Sequence, residues 1–224
     1  MKPLGLQGSQ FYTRDRWSPN QLDFTGYTAM AQHTGANIGG SEQETKVAYL
    51  TADQVVWKNV PNGWFFNRIP YLWPINSDNS FLINIAKFKA HGMGITGCAK
   101  NLQGSIANPY VTHCAAWNAS MGLNAGDMIT DAYAAIKTAY DRHVADGIPR
   151  WDRTITSGIN GIRMETWAHR CLDNNSTLKP NLHVTEGIYG RDGNFIDGPS
   201  SEGLAQDFMS NIIIFGMDPF NVDI

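Results

Sequence analysis

The stretch Phe81–Gly104, FLINIAKFKAHGMGITGCAKNLQG, decides how this chain is read. It opens on an apolar run of buried-strand length, Phe81–Ala86, and leaves that run through Lys87, Lys89 and His91. A glycine-rich turn follows, and then Thr96, Lys100, Asn101 and Gly104. An ordinary connection between a strand and a helix does not need so many cationic and polar side chains, and residues on such loops tend to carry function. Lys87 and Lys89 are two apart, so on an extended strand they share a face that His91 continues. Their donors form a clamp for an anion or a carboxylate. The plainer reading is a solvated strand end.

The pattern on either side of this stretch alternates. Tyr27–His33 reads as a short helix closed by Gly35, and Val47–Lys58 holds a strand. Residues 1–25 read as an extended loop segment, and Asn59–Asn79, with three prolines, reads as an irregular packed connection. Ile129–Val144 is a helix with one apolar stripe, and Ile155–Leu172 a second. Leu182–Thr185 and Asn211–Phe215 are strands. Strands alternating with helices predict a single α/β domain over residues 1–224, with a mainly parallel sheet flanked by helices. Ligands of such sheets sit beyond the carboxyl ends of the strands. The polar residues after Ala86, Thr185 and Phe215 are then expected at one edge.

Composition narrows the function classes. Seventeen basic against twenty acidic residues give a net charge of −3, which argues against a nucleic-acid binder with its basic footprint. No apolar run approaches the roughly 18 residues of a membrane span. Cys98, Cys114 and Cys171 form no CxxC pair, so a structural zinc or iron–sulfur site within this chain is disfavoured. Both ends read as cut: residues 1–15 carry no signal-peptide pattern, and the chain stops just after Asp218-Pro219.

Gly92–Gly97 matches G-x-G-x-x-G, the dinucleotide fingerprint. Five residues separate it from the apolar run, and no acidic residue stands about 20 positions on to hold a ribose, so the glycines are better read as a tight turn. His91 and Lys100 are the candidate acid–base pair, with Lys87, Lys89, Thr96, Asn101 and His113 as substrate contacts. Glu186, Asp192 and Asp197 are candidates to bind a metal or to balance the lysines, and Asp223 is a weaker candidate ligand. The alternative for the Glu186–Gly190 segment is a glycine-rich turn with solvated acids. Sequons at Asn118, Asn174 and Asn175 are discounted as chance matches.

Taken together, Asn84–His91, Thr96, Lys100-Asn101 and Gly104 resemble the K-x-K-x-H, threonine and K-N-x-x-G signature of the domain of unknown function 362 family. Glu186–Gly190, Gly198-Pro199 and Gly216–Asp223 resemble its later blocks, so the resemblance covers about residues 80–224. This chain has Glu186 where the family pattern has aspartate. The resemblance implies an α/β core, a bacterial or archaeal source and frequent export through a twin-arginine signal. Some relatives add ferredoxin-like cysteine motifs, which this chain lacks. The family brings no activity with it. A more distant resemblance links His91, Gly94, Thr96, Gly97, Lys100 and Gly104 to nickel-pincer lactate racemases, and implies Lys100 as the cofactor-bearing lysine.

The sequence therefore predicts a Lys/His site for a small anionic ligand at a sheet edge. Two readings stay open: an enzyme acting on a small anionic substrate, and a non-catalytic anion- or cofactor-binding carrier. It names no cofactor, metal or oligomeric state.

Overall fold

The structure, a computed structural model, describes residues 5–14, 19–39, 50–64, 66–75, 77–91, 94–107, 138, 142, 145–147, 158–191 and 206–223. In chain order the elements are β1 (Tyr12–Arg14), α1 (Pro19–Phe24), α2 (Tyr27–Thr34), β2 (Asn37–Gly39), β3 (Val55–Asn59) and β4 (Arg68–Leu72). They are followed by β5 (Ile83–Lys87), β6 (Lys89–His91), β7 (Gly94–Thr96), α3 (Cys98–Asn101), α4 (Gly158–Thr177), β8 (Leu182–Arg191), β9 (Asp207–Gly216) and α5 (Pro219–Asp223). The chain divides into two compact units, Met1–Lys58 with Pro70–Ser80 and Gly104–Val111, and Asn59–Ile69 with Phe81–Gln103 and Thr112–Ile224.

In the first unit α2 ends as its sequence directs: Gly35 takes φ +75° and returns its N–H to Ala31 O. The chain then pairs β2 with β1 in parallel, and the Asn37 amide reaches back to Ser9 O and Phe11 O. Residues 1–25, read as loop, thus include a strand and a helix, both too short to leave a periodic signal. β4 falls inside the segment read as irregular. Pro70 sits within it, yet its carbonyl still accepts the N–H of Ala107 at 2.8 Å, so the strand uses an acceptor that proline retains.

The second unit is built on the sheet β5–β8–β9. Asn181 starts it: its N–H and side-chain carbonyl bond Leu82 O and Leu82 N at 2.8 Å each. That pairing sets β5 parallel to β8, from Ile83 opposite Leu182 to Lys87 opposite Glu186. β9 returns antiparallel to β8, and β7 antiparallel to β6. The expected mainly parallel sheet is therefore corrected to small mixed sheets. The physical reason is that alternation does not fix strand direction, and an antiparallel return, as β9 makes on β8, needs no crossover helix. Because β9 runs backwards, the residues after Phe215 begin at the opposite end of β8, with Gly216 beside His183.

The apolar run read as a buried strand buries its polar face. Asn84 and Ala86 are buried, while Ile83 and Ile85 are 46% and 65% exposed. Burial of Asn84 is possible because every polar atom of its amide is bonded, as described below. β8 runs well past Thr185 to Arg191, with a register shift between Gly187 and Tyr189. Glu186 consequently lies in a strand and not in a turn.

α4 covers most of the predicted second helix and continues to Thr177. The hydroxyls of Ser176 and Thr177 both donate to Asp173 O at 2.8 Å, and Pro180 ends any continuation. Asn174 and Asn175, the discounted sequons, are buried. The helix predicted at Ile129–Val144 lies almost wholly outside the described residues, of which Thr138 and Arg142 are helical. No helix among the described residues is long and apolar enough to cross a membrane.

One buried carboxylate fastens α4 to the segment before β4. Asp173, 2% exposed, accepts the N–H groups of Trp64 and Phe66 at 2.7 Å each. Charge-assisted bonds of this kind contribute about 1.5–3 kcal/mol each, and their loss strands two amide donors. We predict that Asp173→Ala lowers stability by about 3 kcal/mol in urea unfolding, whereas an effect within about 0.5 kcal/mol of zero would refute the latch.

Candidate functional site

The Lys/His stretch folds as strand, hairpin and helical turn. β5 ends at Lys87, and β6 and β7 form a hairpin that sets Lys89 opposite Thr96 and His91 opposite Gly94. Of the glycine pattern, Gly94 thus begins β7 and Gly97 precedes α3, so these glycines do not form the strand-to-helix turn of a dinucleotide site. α3 packs on β5, β7, β8 and α5. Lys100, in that turn, is half-buried.

The N-terminus of α3 is capped from the far end of the chain. Asp223 Oδ1 accepts the N–H of Cys98 at 2.7 Å, and Oδ2 accepts that of Ala99 at 2.8 Å. A carboxylate there satisfies two orphan amides and meets the positive end of the turn. Gly97 makes the approach possible: a Cβ at this position would stand 2.3 Å from Asp223 Oδ1. Its φ of −140° is open to any residue, so the requirement is for space alone.

A buried polar network lies beneath the cap. Asn84 Nδ2 donates to Cys98 O at 2.8 Å and points at His183 Nδ1 at 3.0 Å, while Asn84 Oδ1 accepts from Asn101 Nδ2 at 2.8 Å. Asn101 also donates to Ile85 O at 3.0 Å. Cys98 Sγ is 3.1 Å from Thr185 Oγ1, which lies 3.4 Å from Asp223 Oδ1. Burial pushes the Cys98 thiol up, and the Asp223 charge adds to it, outweighing the bonds from Thr185 and Val184. Cys98 is therefore a protonated packing group and not a nucleophile at neutral pH. Burial likewise lowers His183, against the opposing pull of Asp223 and Asp218.

At the sheet edge, Lys87 Nζ lies 2.7 and 3.0 Å from the two Glu186 carboxylate oxygens. Parallel register places the two residues side by side. Burial pushes the Glu186 carboxyl up, but the Lys87 bonds and charge and the N–H groups of Ile188 and Tyr189 outweigh it, so it sits below the usual range. Of the predicted site residues, the hairpin pairs Lys89 with Thr96 and His91 with Gly94, and α3, the turn that carries Lys100, packs against β7. Lys87 is held by Glu186 and Asn101 by Asn84. His113, Asp192 and Asp197 lie outside the described residues. No group of three or more potential metal ligands occurs among the described residues.

Asn84, His183 and Thr185 escaped the sequence reading. Their signal was present: Asn84 interrupts an isoleucine alternation, and His183 and Thr185 share one face of a short strand. Polar residues in phase on neighbouring strands mark a bonded buried face.

Fold and site together define a mixed α/β protein in which the helical turn after the Lys/His hairpin is capped by the side-chain carboxylate of Asp223. Residues 20–224 match the family described as Domain of unknown function (DUF362), and the chain belongs to that family. No curated protein and no solved structure matches it.

The Lys87–Glu186 pair has a pH signature. The folded Glu186 binds its proton less readily than the unfolded residue, so its stabilisation is complete above the unfolded value of about 4.3 and is lost as pH falls through the lower folded value. Both side chains are part-exposed, which limits the contribution to about 1 kcal/mol or less. Urea midpoints measured from pH 7 down to 3 are expected to show a smaller acid decline in Glu186→Gln than in the parent. Equal declines in the two proteins would count against the pairing.

Proposed function

We propose that the second unit binds a small anionic substrate at the edge where β5 and β8 end, and that His91 moves a proton on it. The observation that carries this reading is the β6–β7 register, which aligns Lys89 with Thr96 and leaves His91 two positions along the same strand. Cross-strand partners stand close enough for their side chains to meet one small ligand. The edge is also the carboxyl end of a parallel strand pair, the usual place for a ligand in such sheets.

The roles divide by chemistry. Lys87 pairs with Glu186, and recognition of the anion is assigned to the charges of Lys89 and Lys100 with the Thr96 hydroxyl. Asn101 holds α3 on β5. His91 is the general acid or base, the task for which an imidazole is suited near neutral pH. The neutral, buried state of Cys98 and His183 favours the second reading, a non-catalytic anion- or cofactor-binding carrier, because neither group supplies a nucleophile or a proton at the edge.

Calorimetry with inorganic phosphate tests the shared part of the two readings. Lys89→Met and Lys100→Met are each expected to weaken binding about tenfold or more with little change in melting temperature. Intact-mass analysis of the purified protein separates a covalent cofactor on Lys100, seen as added mass on its peptide, from a bare lysine. Phosphate affinity unchanged in both variants would contradict the site.

A further inference from the structure

His183 is a buried polar side chain of the second unit that the proposed chemistry leaves without a task. It is 1% exposed, at the start of β8, and a buried imidazole needs partners for its nitrogens. The hydrogen-bond network fixes its tautomer. Asn84 Oδ1 is taken by the Asn101 amide, so the group that faces His183 is Asn84 Nδ2, which only donates. His183 Nδ1 must then accept, and its proton rides on Nε2. The same Nδ2 group donates to Cys98 O in the first residue of α3. Imidazole, Asn84 and the start of α3 therefore form one connected unit, and Lys100 lies two residues further along that turn.

We propose that His183 is a positioning residue: as a neutral imidazole it orients Asn84, which fixes the start of α3 and so the place of Lys100 at the sheet edge. The inference rests on the anion-site reading above. It assigns His183 no contact with the substrate. Its consequence is a pH dependence of unusual sign. Protonation turns Nδ1 into a donor facing a donor, which breaks the bond to Asn84 and loosens α3. Simple electrostatics has the opposite sign, since a more positive protein attracts anions better.

The groups around His183 are few. Asn84 faces it from β5, and Asp218 and Asp223 act on it from the C-terminal segment. Its neighbour on β9 is the uncharged Gly216. The two carboxylates favour protonation, and burial opposes it more strongly, so the transition falls below the ordinary histidine range.

Sulfate, which does not titrate in this range, is the probe. In the parent protein its affinity is expected to fall about tenfold as pH drops through the His183 transition. His183→Asn places a non-titrating carbonyl oxygen where Nδ1 stood, and is expected to keep the parent's affinity at pH 7.5 while abolishing the acid fall. Amide exchange at Cys98, Ala99 and Asn101, measured without ligand, reads the same event directly. The protection of these amides is expected to drop in acid in the parent relative to His183→Asn. An acid fall that persists in His183→Asn, or a parent affinity that rises with acid, overturns the proposal. If the parent binds no sulfate, the anion site fails and the exchange ratio alone decides: a ratio that moves with pH upholds His183 as the group that sets α3, and a flat ratio overturns it.

Discussion

The contact between the Asp223 carboxylate and the amides of Cys98 and Ala99 joins the end of the described chain to the turn that follows the Lys/His hairpin. Several other features depend on it. Gly97 must lack a side chain to admit the carboxylate, and Thr185 and Cys98 find their partners beside it. Val222, one residue earlier, packs with Ala86 and Cys98 in the same small core. A carboxylate at this position also occupies the donors that an anion would otherwise seek at the start of α3.

Beneath that clasp, the sheet face is polar where an apolar one is usual. Asn84, His183 and Thr185 are all buried, and each has a specific partner. Buried hydrogen bonds give modest net stabilisation, but leaving one unmade is expensive, so such a network admits few alternative arrangements. It holds a four-residue turn, too short to be stable by itself, in one place on the sheet.

What the sequence revealed followed from periodicity and local chemistry. The strand cores at Ile83–Lys87, Leu182–Arg191 and Asp207–Gly216 and the helix at Gly158–Thr177 were visible in outline, because each is long enough or apolar enough to leave a pattern. The direction of β9 was not, since antiparallel and parallel strands share the same alternation. Nor was the inward face of β5: an apolar run does not say which of its faces is buried, and Asn84 is the buried one because Asn101 and His183 bond it there. The cluster of lysines was legible as a candidate site, while the pairing of Lys87 with Glu186 depended on strand register. Asp223 read as a weak ligand. Its capping role is set by a contact more than a hundred residues apart in sequence, which no local pattern encodes.

The clasp itself is tested most directly by a double-mutant cycle between Gly97→Ala and Asp223→Ala, followed by urea unfolding. Each single substitution breaks the same contact, one by crowding the carboxylate and the other by removing it. The double variant is therefore predicted to be about as stable as Asp223→Ala alone, with a coupling energy of about 2 kcal/mol. Strictly additive losses would show that the two residues act independently, and would contradict the account.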